Sequence, residues 1–153
     1  MKILVLGGKG QLGRSLNDQL TKTDHEVIST SREQIDIADF EVTKRKILEL
    51  SPDLIINATA YTAVDKAEDD QKAANLINHL AVKNIADICN QLELWLIHVS
   101  TDYVFDGNAK VPYEEDDQTN PQSAYGQTKL KGELAIQSSG CKHIIIRTAW
   151  VFS

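Results

Sequence analysis

The glycine run Gly7-Gly8-Lys9-Gly10-Gln11-Leu12-Gly13 constrains this chain more than any other segment. It follows Lys2–Leu6, a near-continuous apolar run of the kind that forms a strand buried on both faces. It leads into a helical pattern from Gln11 to about Leu20. Glycines at such a junction allow a sharp turn, let backbone approach a pyrophosphate, and let helix pack closely on strand. The N-terminus of the following helix then faces the negative charge. A glycine triplet alone says little, because any tight strand-to-helix turn uses it. Its place after an N-terminal strand is what points to a bound dinucleotide.

The rest of the chain keeps alternating. Strands are expected over Glu26–Thr30, Leu54–Asn57, Leu94–Val99 and His143–Arg147. Between them the spacing predicts helices over Phe40–Leu50, Lys72–Gln91 and Ser123 to about Ser138. Asp39 is placed to cap the first of these, and Pro52 follows it as a stop. Leu76, Ile77, Leu80, Ala81, Ile85 and Ile88 make one apolar stripe on the second. Strands alternating with helices define an α/β class, a doubly wound parallel sheet of the Rossmann type, here a single domain over 1–153. After the fifth strand only Thr148-Ala149-Trp150-Val151-Phe152-Ser153 remain, too few for a covering helix. The chain therefore reads as truncated before most of a C-terminal part.

Composition narrows the partners. A formal net charge of -6 lacks the basic footprint of nucleic-acid binding. No apolar stretch approaches the ~20 residues a membrane span needs, and the apolar start runs into the glycine loop rather than a signal-peptide cleavage site. Cys89 and Cys141 lie in apolar-periodic segments, as reduced core residues of a cytoplasmic protein would. His25, His79, His98 and His143 are scattered, and no metal site is expected from them. The clusters Glu68-Asp69-Asp70 and Glu114-Glu115-Asp116-Asp117 read as solvated loop and helix-start charges.

A ribose selector is expected about 20 residues past the glycines. That stretch is Ser29-Thr30-Ser31-Arg32, without a carboxylate at the strand end. Arg32 among hydroxyls suits the 2′-phosphate of NADP, so NADPH is expected, with NADH as the alternative because Glu33 stands next in line. Asp36 is placed to reach adenine or to close a turn. The expected cofactor contacts are Gly7, Gly10, Gln11, Leu12, Gly13, Arg32, Asp36 and Ile37, with Ala58, Thr59, Ala60 and Tyr61 after the third strand.

Tyr125 and Lys129 lie one helical turn apart and so share a face. A phenol is a poor acid-base catalyst at neutral pH, and a neighbouring ammonium is expected to lower its pKa into a useful range. Tyr125 can then protonate a carbonyl oxygen that is accepting hydride. Ser100 and Thr101 stand beyond the fourth strand, where ligands of an open parallel sheet bind. Thr101 is expected to hydrogen-bond the same oxygen.

Five pieces together carry a resemblance: Gly8–Gly13, Asn57–Glu68, Ser100–Gly107, Tyr125–Glu133 and Arg147–Phe152. They resemble the extended short-chain dehydrogenase/reductase family, and most closely its members that reduce the C4 ketone of a dTDP-linked deoxysugar with NADPH. The resemblance implies Tyr125 as proton donor, Lys129 on the nicotinamide ribose and Thr101 on the ketone. It implies substrate contacts from Val64, Asp102, Tyr103 and Trp150, a nucleotide-sugar substrate, and room for a homodimer in the full-length protein. Family members continue into a substrate domain that this chain lacks. Ser15 stands where some carry a glutamate for a metal-linked dimer, so that metal site is not expected. Two rival readings share the fold: a cofactor-binding regulator resembling the regulatory subunit of methionine adenosyltransferase, and a nucleotide-sugar epimerase or dehydratase.

Overall fold

A computed structural model describes residues 1–150. Its elements run in chain order: β1 Lys2–Leu6, α1 Gln11–Leu20, β2 Glu26–Thr30, α2 Phe40–Leu50 and β3 Leu54–Asn57. Then come α3 Val64–Asp69, α4 Gln71–Asn75, a π-turn Leu76–Leu80, α5 Ala81–Gln91, β4 Trp95–Thr101, α6 Ala124–Ser139 and β5 Lys142–Thr148. The five strands are all parallel in the order β2-β1-β3-β4-β5. The order reverses at β1, and the crevice outside the strand C-termini there is where such sheets bind ligands. The Rossmann-type sheet expected from the alternation is present.

Strand pleating divides the core. Leu4, Leu6, Ile55 and Leu96 point toward Ile47 of α2, Val82, Ile85 and Ile88 of α5, and Ile136 of α6. Ile3, Val5 and Ile56 point the other way, against Leu16 and Leu20 of α1. On that second face Trp95, Ile144 and Ile146 remain nearly half exposed over β4 and β5. Cys89 and Cys141 are buried free thiols of the larger cluster, and burial pushes Cys89 up to about 12.

Asp39 caps α2 as read, and local signals of the same kind close other helix ends. Asp39 Oδ1 accepts the Val42 N–H at 3.0 Å, and Ser51 closes α2 in the left-handed region at φ 45°. Ser123 caps α6 through its hydroxyl, and Gly140 ends that helix at φ +79°.

Four readings are corrected. The single helix expected over Lys72–Gln91 is α4, a π-turn and α5 in series. The wider turn rotates the side chains, so Asn78 is buried while Leu80 of the expected stripe is exposed, a local change that helical periodicity does not register. The short helix α3 was not expected. β4 runs on to Thr101, so Ser100 and Thr101 belong to the strand rather than the loop after it. Glu68, read as a solvated charge, reaches from α3 to the Ala124 N–H at the start of α6, while Asp70 is a helix-start charge as read, accepting the Ala73 N–H at 3.1 Å. No helix among the described residues is long and apolar enough to cross a membrane.

Candidate active site

Two adjoining clefts open at the C-terminal ends of the strands. The first, about 510 Å³, is lined by Gly10, Gln11 and Leu12 on one side and by Thr101, Tyr125 and Lys129 on the other. Val64, Asp102, Tyr103 and Trp150 complete its mouth. The second, about 290 Å³, is lined by Gly7, Lys9, Arg32, Asp36, Ile37 and Tyr61 among others. Gly10, Ala58, Thr59 and Ala60 line both, so the two form one trough across the sheet's switch point. Of the residues singled out from sequence, Gly13 alone stands behind the trough. A Cβ there would collide with the Gly7 carbonyl, so Gly13 lets α1 pack on the loop.

The loop fits a dinucleotide. Gly7 sits at φ +86°, and its N–H and that of Gly8 both donate to Thr30 O, at 3.1 and 2.7 Å, tying the turn to the end of β2. No side chain caps α1 at Gly10, so the positive end of the helix is turned to the trough without a built-in anion.

At the second cleft, Arg32 Nε lies 3.3 Å from Asp36 Oδ2, both groups exposed. Asp36 Oδ1 accepts the Ala38 N–H at 3.0 Å, the turn role considered for it. Glu33 does not line the cleft. It pairs with Lys9 at 3.1 Å, and hydrogen bonding by Ser31, its own backbone and Lys9 holds its carboxyl at about 2. The cations Lys9 and Arg32 are thus the lining charges at that end, opposed by Asp36.

Tyr125 packs edge-on against Tyr103, ring centres 5.6 Å apart at 76°. Burial holds its phenol above the ordinary value, while a hydrogen bond with Thr101 pulls it down. The expected lowering by the Lys129 ammonium is therefore overturned: desolvation prevails, and the lysine is engaged elsewhere. Lys129 Nζ donates to Val99 O at 2.6 Å and lies 3.4 Å from His98 Nε2. Lys129 is 1% exposed, and desolvation brings it down to about 8 against an upward pull from Glu133. Thr101 Oγ1 donates to Asp102 Oδ1 at 3.1 Å and accepts the Tyr103 N–H at 3.2 Å. Trp150 stands 85% exposed at the mouth of the first cleft. Val151 and Phe152, the end of the last resembling piece, lie outside the described residues.

Three supporting residues were not found from sequence. Asn78, buried in the π-turn, donates to Tyr61 O and Thr128 Oγ1, each at 3.2 Å, and accepts the Tyr61 N–H at 2.8 Å. Glu68 reaches the start of α6. His98, read as one scattered histidine, is fully buried beside Lys129. Nothing local marks these residues; their partners are far away in the chain.

This is the Rossmann class of domain, with a Thr–Tyr–Lys set facing its glycine loop across the trough. The chain belongs to the RmlD substrate binding domain family, whose profile matches residues 1–153. A dTDP-4-dehydrorhamnose reductase of Salmonella typhimurium is 40% identical over 100% of this chain and 52% of its own length. The crystal structure of a dTDP-4-dehydrorhamnose reductase from Clostridium acetobutylicum superposes with a TM-score of 0.96 at 43% identity, over 99% of this chain and 54% of that one. Another, from Bacillus anthracis in complex with NADP, gives 0.95 at 30% identity with the same coverage. The chain spans about half the length of the curated relatives it matches.

Proposed function

We propose that residues 1–153 are the NAD(P)-binding domain of an NADPH-dependent oxidoreductase that reduces the C4 ketone of dTDP-4-dehydrorhamnose. The observation that carries this reading is the trough itself, with Thr101, Tyr125 and Lys129 on the wall facing the glycine loop. The relatives named for that reaction, and the NADP held by one of them, support it. When bound, the nicotinamide supplies hydride to the ketone carbon. Tyr125 delivers a proton to the ketone oxygen, and its raised pKa suits a donor that must arrive protonated. Thr101 orients that oxygen. Lys129 lines the same wall as Tyr125 and faces the ribose side of the trough.

Gly7, Gly10, Gln11, Leu12 and Gly13 build the pyrophosphate turn, and Ala58, Thr59, Ala60 and Tyr61 form the wall beside the cofactor. Arg32 takes the 2′-phosphate, with Asp36 and Ile37 nearer the adenine. Val64, Asp102, Tyr103 and Trp150 meet the sugar, Trp150 offering a flat apolar face to a deoxysugar. The nucleotide end is held by the part that relatives carry beyond this length. The reaction belongs in the cytoplasm, and the full-length protein has room to dimerise.

The test is NADPH consumption with dTDP-4-dehydrorhamnose, comparing the longest reading frame with this 153-residue chain. Turnover by the long form and loss in the short one supports the reading. Tight cofactor binding without turnover by either favours the regulatory role. Protein that retains bound NAD through purification favours an epimerase or dehydratase.

A further inference from the structure

Asn57 ends β3 and lies beside His98 of β4 in the parallel register, both fully buried. Asn57 Oδ1 accepts two hydrogen bonds, from the Thr59 N–H at 3.1 Å and the Thr59 hydroxyl at 2.6 Å. A backbone N–H can only donate, so the amide oxygen must be the atom facing Thr59. The amide nitrogen therefore faces His98 Nδ1, at 3.2 Å, and donates to it. Nδ1 must accept, which leaves the ring proton on Nε2. That N–H points at Lys129 Nζ, 3.4 Å away. An ammonium has three donors and no lone pair, so the ring N–H meets it as a second donor. The amine form has a lone pair for Nε2–H and still donates to Val99 O.

We propose that Asn57 and His98 are positioning residues for Lys129: Asn57 locks the imidazole with its proton on Nε2, and that N–H, aimed at Nζ, governs how readily the lysine holds its third proton. Burial keeps His98 well below its ordinary value, with Lys129 adding to the effect, so the ring stays neutral. The other titratable groups at Lys129 are Glu133 and Tyr125 on α6, and Asp102 just after β4, which lines the same cleft. Glu133 opposes the imidazole, favouring the ammonium. The lysine is thus balanced between a carboxylate and a neutral donor. The functional consequence rests on the reductase reading; the network itself does not.

The experiment is NMR on the full-length protein without cofactor. Histidine 15N shifts should show His98 as the neutral Nε2–H tautomer across the folded pH range. A protonated Nδ1 would overturn the proposal without any variant being made. The Lys129 Cε shift then reports its titration. In His98→Gln the amide can turn its oxygen to Nζ, giving the ammonium an acceptor, so the midpoint should rise by about one pH unit. An unmoved midpoint in a folded variant also overturns it. The basic limb of the kcat–pH profile should move by the same amount, which a merely structural role for His98 would not produce. If the tautomer and the titration follow and no NADPH is consumed, the network stands and the reductase reading falls.

Discussion

The Glu68 carboxylate accepts the backbone N–H of Ala124 at 2.7 Å, so a residue of α3 caps the helix that carries Tyr125 and Lys129. Together with Ser123, it satisfies two of the orphan donors at the start of α6 and puts negative charge at the positive end of the helix. Glu68→Ala should cost about 1 kcal/mol, the usual worth of a cap. Glu68→Gln should recover much of that, because its amide oxygen can still accept. Urea midpoints decide it: two variants equal to the parent would refute the capping role.

Lys129 is the costliest buried charge near the trough. Its folded pKa is about 8 against an ordinary 10.5, so above pH 8 the unfolded chain binds more protons than the folded one. Stability should therefore rise with pH between about 8 and 10.5, and the full penalty, about 3 kcal/mol, applies below that window. Lys129→Met should remove the slope and stabilise the fold at pH 7 by about 2 kcal/mol, since the lost hydrogen bond to Val99 O offsets about 1 kcal/mol. A persisting slope in the variant would assign it to another group.

Tyr125→Phe should lower turnover of the full-length protein by roughly 10²–10⁴-fold, the usual share of a positioned proton donor. Cofactor binding should hardly change, because the ring still packs edge-on against Tyr103. Unchanged turnover would remove Tyr125 from the mechanism.

Arg32→Ala should weaken NADPH about tenfold, as loss of one charge-assisted contact does, and NADH little. The variant also releases Asp36 from its ion pair at 3.3 Å, leaving a carboxylate free for a ribose hydroxyl. Equal loss of both cofactors, measured by fluorescence titration, would defeat the assignment.

Arg147 of β5 grips Glu133 of α6 through both carboxylate oxygens, with Nη2–Oε2 at 2.7 Å, and lies 4.9 Å over the Phe105 ring. Glu133→Ala should cost about 3 kcal/mol, the low end for breaking a buried pair, because the Arg147 side chain keeps 22% exposure and can reach water. A midpoint shift under 1 kcal/mol, on the same urea scale, would show that the pair adds little.

How much was legible in the sequence follows from how far each signal reaches. Sequence alone determined the alternation of strands and helices, the glycine turn, and the cap at Asp39. These are set by periodicity and by contacts within a few residues. It also placed Tyr125 and Lys129 on one face, because a helical turn is a local ruler. Only the tertiary structure decided what those side chains meet. The register Asn57–His98 sets an imidazole under Lys129, and close packing of α6 at Gly132 puts Asn78 and its π-turn against that helix. The environment that raises Tyr125 and lowers Lys129 is desolvation by distant segments. Burial is a property of the assembled layers, and no spacing along the chain encodes it.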